Sequence, residues 1–157
     1  MSQDNFFHSN TANLSTMEME FHERIKAPLN KVWNTLYNKN GWDPWFTDGM
    51  KINEDGDIYF RWFRLTDGEV VTDTGKIVSV IHERLFSFWW YEYEDGFRSF
   101  VEITFYPTGD DETIVTIKDR TFIKDVSELH IRYGCAYGWG QMMLLAKLYI
   151  EKNIIVI

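Results

Sequence analysis

Cysteine is nearly missing from this chain. Cys135 is the only one in 157 residues, which excludes an internal disulfide and fits a reducing compartment. Positive charge is also short: 16 Lys and Arg stand against 24 Asp and Glu, a formal net charge of -8. Nucleic acids and anionic membranes recruit proteins through a basic surface, so neither is an expected partner. No apolar run approaches the ~20 residues that cross a bilayer, and integral membrane association is not expected. Met1 to Thr16 holds no apolar core of signal-peptide type, so the expected location is the cytoplasm. The four histidines, His8, His22, His82 and His130, are scattered, and no glycine-rich loop has phosphate-cradling spacing. Neither a metal nor a cofactor is expected.

What the chain has in excess is rings. Aromatics reach 17%, as 7 Trp, 8 Tyr and 12 Phe. Rings fill space in large rigid units, so such a core either packs very tightly or leaves shaped gaps. The length suits one domain. Residues 1–16, polar and without periodicity, read as a flexible tail, with Phe6-Phe7 free to dock or not; residues 17–157 read as a single domain.

Met17 to Lys26 alternates as a strand, with Met17, Met19, Phe21 and Ile25 on one face. Pro28 then opens a helix to Tyr37, whose stripe is Leu29, Val32, Trp33 and Leu36. Gly41 to Asp48 reads as a second, short and irregular helix. Asp55-Gly56, Asp67-Gly68 and Asp95-Gly96 are hairpin-turn dipeptides. They delimit strands near 57–65, 69–82 (with a break or bulge at Gly75), 85–93, 98–106 and 113–121. Consecutive turn-linked strands imply an antiparallel meander. From about Val126 to Asn153 the period is helical, with two competing stripes: Trp139, Met142, Met143, Ala146 and Ile150 against Tyr137, Gln141, Leu145 and Leu148. Gly134, Gly138 and Gly140 each cost roughly 1 kcal/mol of helix propensity relative to Ala, which makes sense if sheet backbone or a ligand comes close there.

Several pieces occur here in a telling order: Ile25-Lys26-Ala27-Pro28 with Val32-Trp33, then Trp45, Gly75-Lys76-Ile77, and Arg84-Leu85 leading to Trp89. Thr113 to Asp119 follows, then Gly134-Cys135, Gly138-Trp139, Lys147 and Tyr149 to Glu151. In this order they resemble the START-like (SRPBCC) superfamily, and most closely its bacterial proteins similar to the C-terminal domain of the activator of Hsp90 ATPase. The resemblance implies an α+β helix-grip fold. A curved antiparallel β-sheet wraps a long C-terminal α-helix, two short helices follow the first strand, and a cavity lies between sheet and helix. Family members bind apolar or aromatic small molecules or lipids, or assist Hsp90-type chaperones. Ala146 stands where a larger aliphatic is usual, and Asp119 where a His is common.

The expected cavity lining is Phe60 and Trp62 from the early strands and Trp89, Tyr91, Val101, Ile103 and Phe105 from later ones. Met142, Met143 and Ala146 would close it from the helix, and Tyr91, Tyr137 or Gln141 would supply polar contacts. Glu23 and Asp119 share strand parity with inward apolar residues, so each points at the pocket or rests at a strand end in water or in an ion pair. The strand 85–93 is aromatic on both faces. The family resemblance puts Trp89 inward, which leaves Phe86, Phe88 and Trp90 on the convex side, as an interface or under the N-terminal tail or the end Ile154 to Ile157. The apolar end Ile154 to Ile157 invites self-association. Cys135, among small and aromatic neighbours, reads as buried and inert. No catalytic constellation is identifiable. The expected function is therefore binding of a small apolar or aromatic molecule or lipid. The alternative is a co-chaperone-like module without such a ligand, with a homodimer or a chaperone as partner.

Overall fold

Strand β1 (Ser15–Ile25) opens the sheet as one edge but is last to find its neighbour: it pairs along its whole length with β7 (Glu112–Ile123), from Ser15 opposite Ile123 to Ile25 opposite Thr113. Between them run β2 (Lys51–Ile52), β3 (Asp57–Phe63), β4 (Val70–Ile81), β5 (Leu85–Tyr93) and β6 (Gly96–Gly109). The spatial order β1-β7-β6-β5-β4-β3-β2 makes one seven-stranded antiparallel sheet. The computed structural model describes residues 15–64 and 67–157. The expected tail, with Phe6-Phe7 and His8, lies outside the described residues but for its last two positions, where β1 has already begun.

Turns fall at the Asp-Gly dipeptides, but between β5 and β6 the loop is Glu94-Asp95 and Gly96 already belongs to the strand. Gly56 and Gly96 have φ of 103° and 113°, a region closed to side chains with a Cβ. Tyr93 pairs with Gly96 across a two-residue loop, Glu94-Asp95, and this sets the register of β5 on β6. The irregularity in β4 falls between Ile77 and Ser79 rather than at Gly75. Gly75 serves another need: a Cβ there would stand 2.8 Å from the Trp89 carbonyl oxygen and 3.0 Å from Phe60 Cε2.

Helix α1 (Leu29–Leu36) buries Val32, Trp33 and Leu36. Pro28 sits just outside it as the N-cap residue, its carbonyl accepting from Lys31 and Val32. The second short helix expected over 41–48 is instead a set of turns. Asp43 organises them, its carboxylate accepting from Thr47 Oγ1 at 2.5 Å and from the Gly49 and Met50 amides at 3.0–3.2 Å. Local side-chain hydrogen bonds of this kind compete with helical ones.

Helix α2 (Leu129–Lys152) crosses the concave face, with Asn153 in the left-handed conformation ending it. The stripe Trp139, Met142, Met143, Ala146 and Ile150 is the buried one, while Tyr137 is 71% exposed. Together with Phe60, Phe86, Phe88, Trp90, Val101, Ile103, Phe105, Val115 and Ile117 from the sheet, it forms a single core. No described helix is long and apolar enough to cross a membrane.

Candidate functional site

The sheet's face assignment decides what the cavity is made of. Phe88 lies opposite Val101 and Phe86 opposite Ile103, and residues directly opposite share a face. Phe86, Phe88 and Trp90 are therefore interior, at 0%, 0% and 6% exposure, and the expected interface on them does not exist. Trp89 points the other way and packs on Phe100 and Phe122 across the sheet, not into the cavity. Tyr91 shares Trp89's parity and would follow it outward. Its positive φ of 58° turns it back, and its ring stacks on Trp90 at 4.6 Å and 7°.

A cavity of about 220 Å³ lies between this part of the sheet and the N-terminal half of α2. Trp62, Trp90 and Tyr91 line it from the strands; Trp42 and Phe46 from the turns; Ile131, Gly134, Cys135, Gly138, Trp139 and Met142 from the helix. Of the expected lining, Trp62, Tyr91 and Met142 stand here. Phe60, Val101, Ile103, Phe105, Met143 and Ala146 belong instead to the solid core, because rings from 42–46 and β5 fill the middle of the concave face. Tyr137 is on the outer side of α2, where it accepts from Gln141 Nε2 at 3.2 Å. Gln141 lines a separate open groove of about 720 Å³ beside Leu144 and the chain end Ile155 to Ile157.

Sequence reasoning missed Trp42, Phe46, Trp90, Ile131, Cys135 and Trp139 as lining, and at Gly134 and Gly138 left open whether the sheet backbone or a ligand comes close. The glycines were the available signal. A Cβ at Gly134 or Gly138 would meet no atom within 4 Å, so neither residue is there to let the sheet approach. Both border the cavity. Gly140, also free of contact, is exposed, as Gly134 is, but does not border the cavity.

Behind the cavity lies a buried polar cluster. Asp119 accepts from Trp139 Nε1 at 2.8 Å and from Thr121 Oγ1 at 2.7 Å. Thr121 bonds Ser99 at 2.9 Å and receives Arg132 Nη1 at 3.2 Å, so two buried hydroxyls link the buried acid to the buried guanidinium. Asp119 was expected among the cavity residues. Its two oxygens are taken up by these donors, and it positions the Trp139 indole, which does line the cavity, rather than meeting the cavity itself. Glu23 does not line the cavity; it is paired with Lys147 Nζ at 3.2 Å.

Burial raises the pKa of three titratable groups here. It pushes the Tyr91 phenol well above its ordinary value, and raises the Cys135 thiol, which leaves little thiolate. It also raises the Asp119 carboxyl, against the pull of its two hydrogen bonds and of Arg132. Between the ordinary carboxylate pKa and this raised one, the native chain holds a proton that the unfolded chain has released. Stability from Asp119 therefore falls as pH rises through that interval and is level above it. Asp73, raised by burial as well, has the same sign. Asp119→Asn keeps an acceptor for Trp139 and is expected to remove the Asp119 part of that fall. Urea midpoints at stepped pH measure it, and a slope equal to the parent's would assign the effect to other groups.

Among the described residues no group of three His, Cys, Asp or Glu could hold a metal ion. The model of the family described as activator of Hsp90 ATPase homolog 1-like protein matches residues 26–149. No curated protein matches in sequence. Solved structures share the fold at low identity. A Staphylococcus aureus protein of unknown function has a TM-score of 0.74 at 12% identity, over 91% of this chain and 98% of that one. A Nitrosomonas europaea protein has 0.67 at 19%, over 92% and 99%. A Colwellia psychrerythraea protein described as an Aha1 dimer has 0.66 at 16%, over 87% and 97%.

Proposed function

Since the chain belongs to the family of proteins like activator of Hsp90 ATPase homolog 1, we propose that it uses that fold to bind a small apolar or aromatic molecule in the cavity beneath α2. The observation that carries the reading is the pair Gly134 and Gly138. Each weakens the helix by roughly 1 kcal/mol relative to Ala, a Cβ at either would meet no described atom within 4 Å, and both border the cavity, Gly134 also opening to solvent. Burial would drive binding, at ~25 cal/mol per Å² of apolar area. At about 220 Å³ the space suits a compact ring system better than an acyl chain. The setting that fits the single unpaired cysteine is a reducing compartment, the cytoplasm.

The second reading is a co-chaperone-like module of the Hsp90-activator type that takes no small molecule. The family description supports it, and so does the Colwellia relative, described as a dimer. A homodimer or a chaperone would then be the partner, and the exposed apolar end Ile154 to Ile157 is surface on which such contacts could form.

Native and then denaturing mass spectrometry of the freshly purified protein tests the first reading. A discrete small-molecule excess over a whole number of chains, lost on denaturation, is the expected result. A bare whole-number mass, together with an unchanged Tm across a set of small aromatic compounds, would overturn it in favour of the second.

A further inference from the structure

The indoles around the cavity are not equivalent. Trp42 Nε1 donates to the Leu36 carbonyl at 3.1 Å, and Trp139 Nε1 donates to Asp119. Trp90 Nε1 is buried and meets no acceptor among the described residues. A buried donor without an acceptor costs about 1–3 kcal/mol, and one that lines a cavity calls for an explanation. Beside it, the Tyr91 hydroxyl meets the Cys135 thiol at 3.7 Å, a contact in which the sulfur is the donor. The phenolic proton is thus free for another acceptor.

The rest of the lining sharpens the chemistry. Among the described residues it holds no carboxylate and no amide side chain, only rings, an isoleucine, two glycines and sulfur. The Arg132 guanidinium stands 5.5 Å from the Tyr91 ring centre and adds positive potential on that side. The wall therefore offers donors and almost nothing that accepts. One side is aromatic and the other is helix backbone bare of side chains at Gly134 and Gly138, a slot suited to a flat molecule. Both faces of the Trp90 ring are taken, by Phe60 at 4.3 Å and by Tyr91, so an occupant can reach Trp90 only at its edge.

We infer that the cavity takes a flat aromatic molecule of roughly a dozen non-hydrogen atoms, the number that about 220 Å³ holds at close packing, bearing a carbonyl oxygen that accepts from Trp90 Nε1 and Tyr91 Oη. The inference rests on the small-molecule reading above and adds the acceptor to it.

The test is calorimetric titration with two probes of nearly equal shape, 2-acetylnaphthalene and 2-ethylnaphthalene, of which only the first has the carbonyl. The parent protein is expected to bind the ketone about tenfold more tightly, the worth of satisfying an otherwise orphaned donor. Trp90→Phe should abolish that preference, and Tyr91→Phe, which removes one oxygen without changing shape, should reduce it several-fold. If Trp90→Phe does not fold, Tyr91→Phe against the parent reads the same contrast. Gly138→Leu, filling the slot from the helix, should weaken both probes together and so place them in this cavity. Equal affinities for both probes in the parent would overturn the carbonyl inference while leaving small-molecule binding intact. A ketone preference unchanged in both ring variants would overturn the assignment of the donors. Binding of neither probe up to its solubility would overturn the inference together with the reading beneath it.

Discussion

Trp42→Ala is expected to remove about 3–5 kcal/mol of stability, the usual cost of truncating a fully buried tryptophan and a large fraction of what a domain possesses. Trp42 is 0% exposed although it belongs to no helix or strand. Its ring meets those of Trp45, Phe46, Phe60, Phe88, Trp90 and Trp139 at centroid distances of 5.7–6.5 Å, which joins the 42–46 turns, the sheet and α2 at one point. The indole also donates to the Leu36 carbonyl at the end of α1, so truncation leaves that carbonyl short of a donor as well as opening a void. Trp42→Phe keeps most of the packing and should cost clearly less. Urea or guanidinium melts of the two variants check this. A loss below about 1 kcal/mol for Trp42→Ala would mean that the ring cluster is loosely packed and that the 220 Å³ cavity merges with it.

The same one-carbon change is expected to act with opposite signs at two glycines. Gly75→Ala puts a methyl 2.8 Å from the Trp89 carbonyl oxygen, which is backbone and held in the β4–β5 ladder, and 3.0 Å from Phe60, which is itself fully buried. Neither neighbour can yield cheaply, and overpacking of this kind costs about 1–3 kcal/mol or more. Gly134→Ala meets no atom within 4 Å and lies within α2, so it should stabilise by about 1 kcal/mol through helix propensity alone. Thermal melts of the pair decide the matter. A destabilised Gly134→Ala would show that the helix backbone there needs glycine for a reason other than space.

The large groove beside the chain end and the small cavity beneath α2 differ in what they could hold. The groove runs along exposed Leu144 and Ile155 to Ile157, apolar surface open to solvent. The cavity is walled by rings and by two glycines, and carries a donor without an acceptor. Selectivity for a small molecule needs a few placed polar groups in an apolar setting; the groove has Thr47, Asp48, Arg64 and Gln141 at its open surface, whereas the cavity sets the Trp90 and Tyr91 donors among rings.

Much of the architecture was legible in the residue order. The strand alternation of 17–25, the stripe of α1, the Asp-Gly turns and the long helical period after Val126 each rest on local chemistry: side-chain period, glycine's access to positive φ, and capping. The 41–48 segment misled because its apolar residues imitate a helix stripe, whereas the Asp43 carboxylate draws the Thr47, Gly49 and Met50 donors into turns. Strand β5 misled for a plainer reason. Leu85, Trp89, Tyr91 and Tyr93 on one face are as apolar as Phe86, Phe88 and Trp90 on the other, so alternation inside the strand carries no direction. Direction was present next door. In β6, Val101, Ile103 and Phe105 alternate with Glu102 and Thr104, and the two-residue hairpin opposes Phe88 to Val101.

By itself, then, the sequence determined an antiparallel meander closed by a long helix and rich in rings, because period and turn chemistry are properties of neighbours along the chain; the helix-grip arrangement of these elements was what the family resemblance implied. The tertiary structure decided which aromatic face of β5 is inside, that Tyr91 turns inward on a left-handed backbone, and that Asp119 serves Trp139 rather than the cavity. It also decided where the cavity lies. Voids form where rings from distant segments fail to meet, and that depends on the packing of 42–46, β3, β5 and α2 against one another in space.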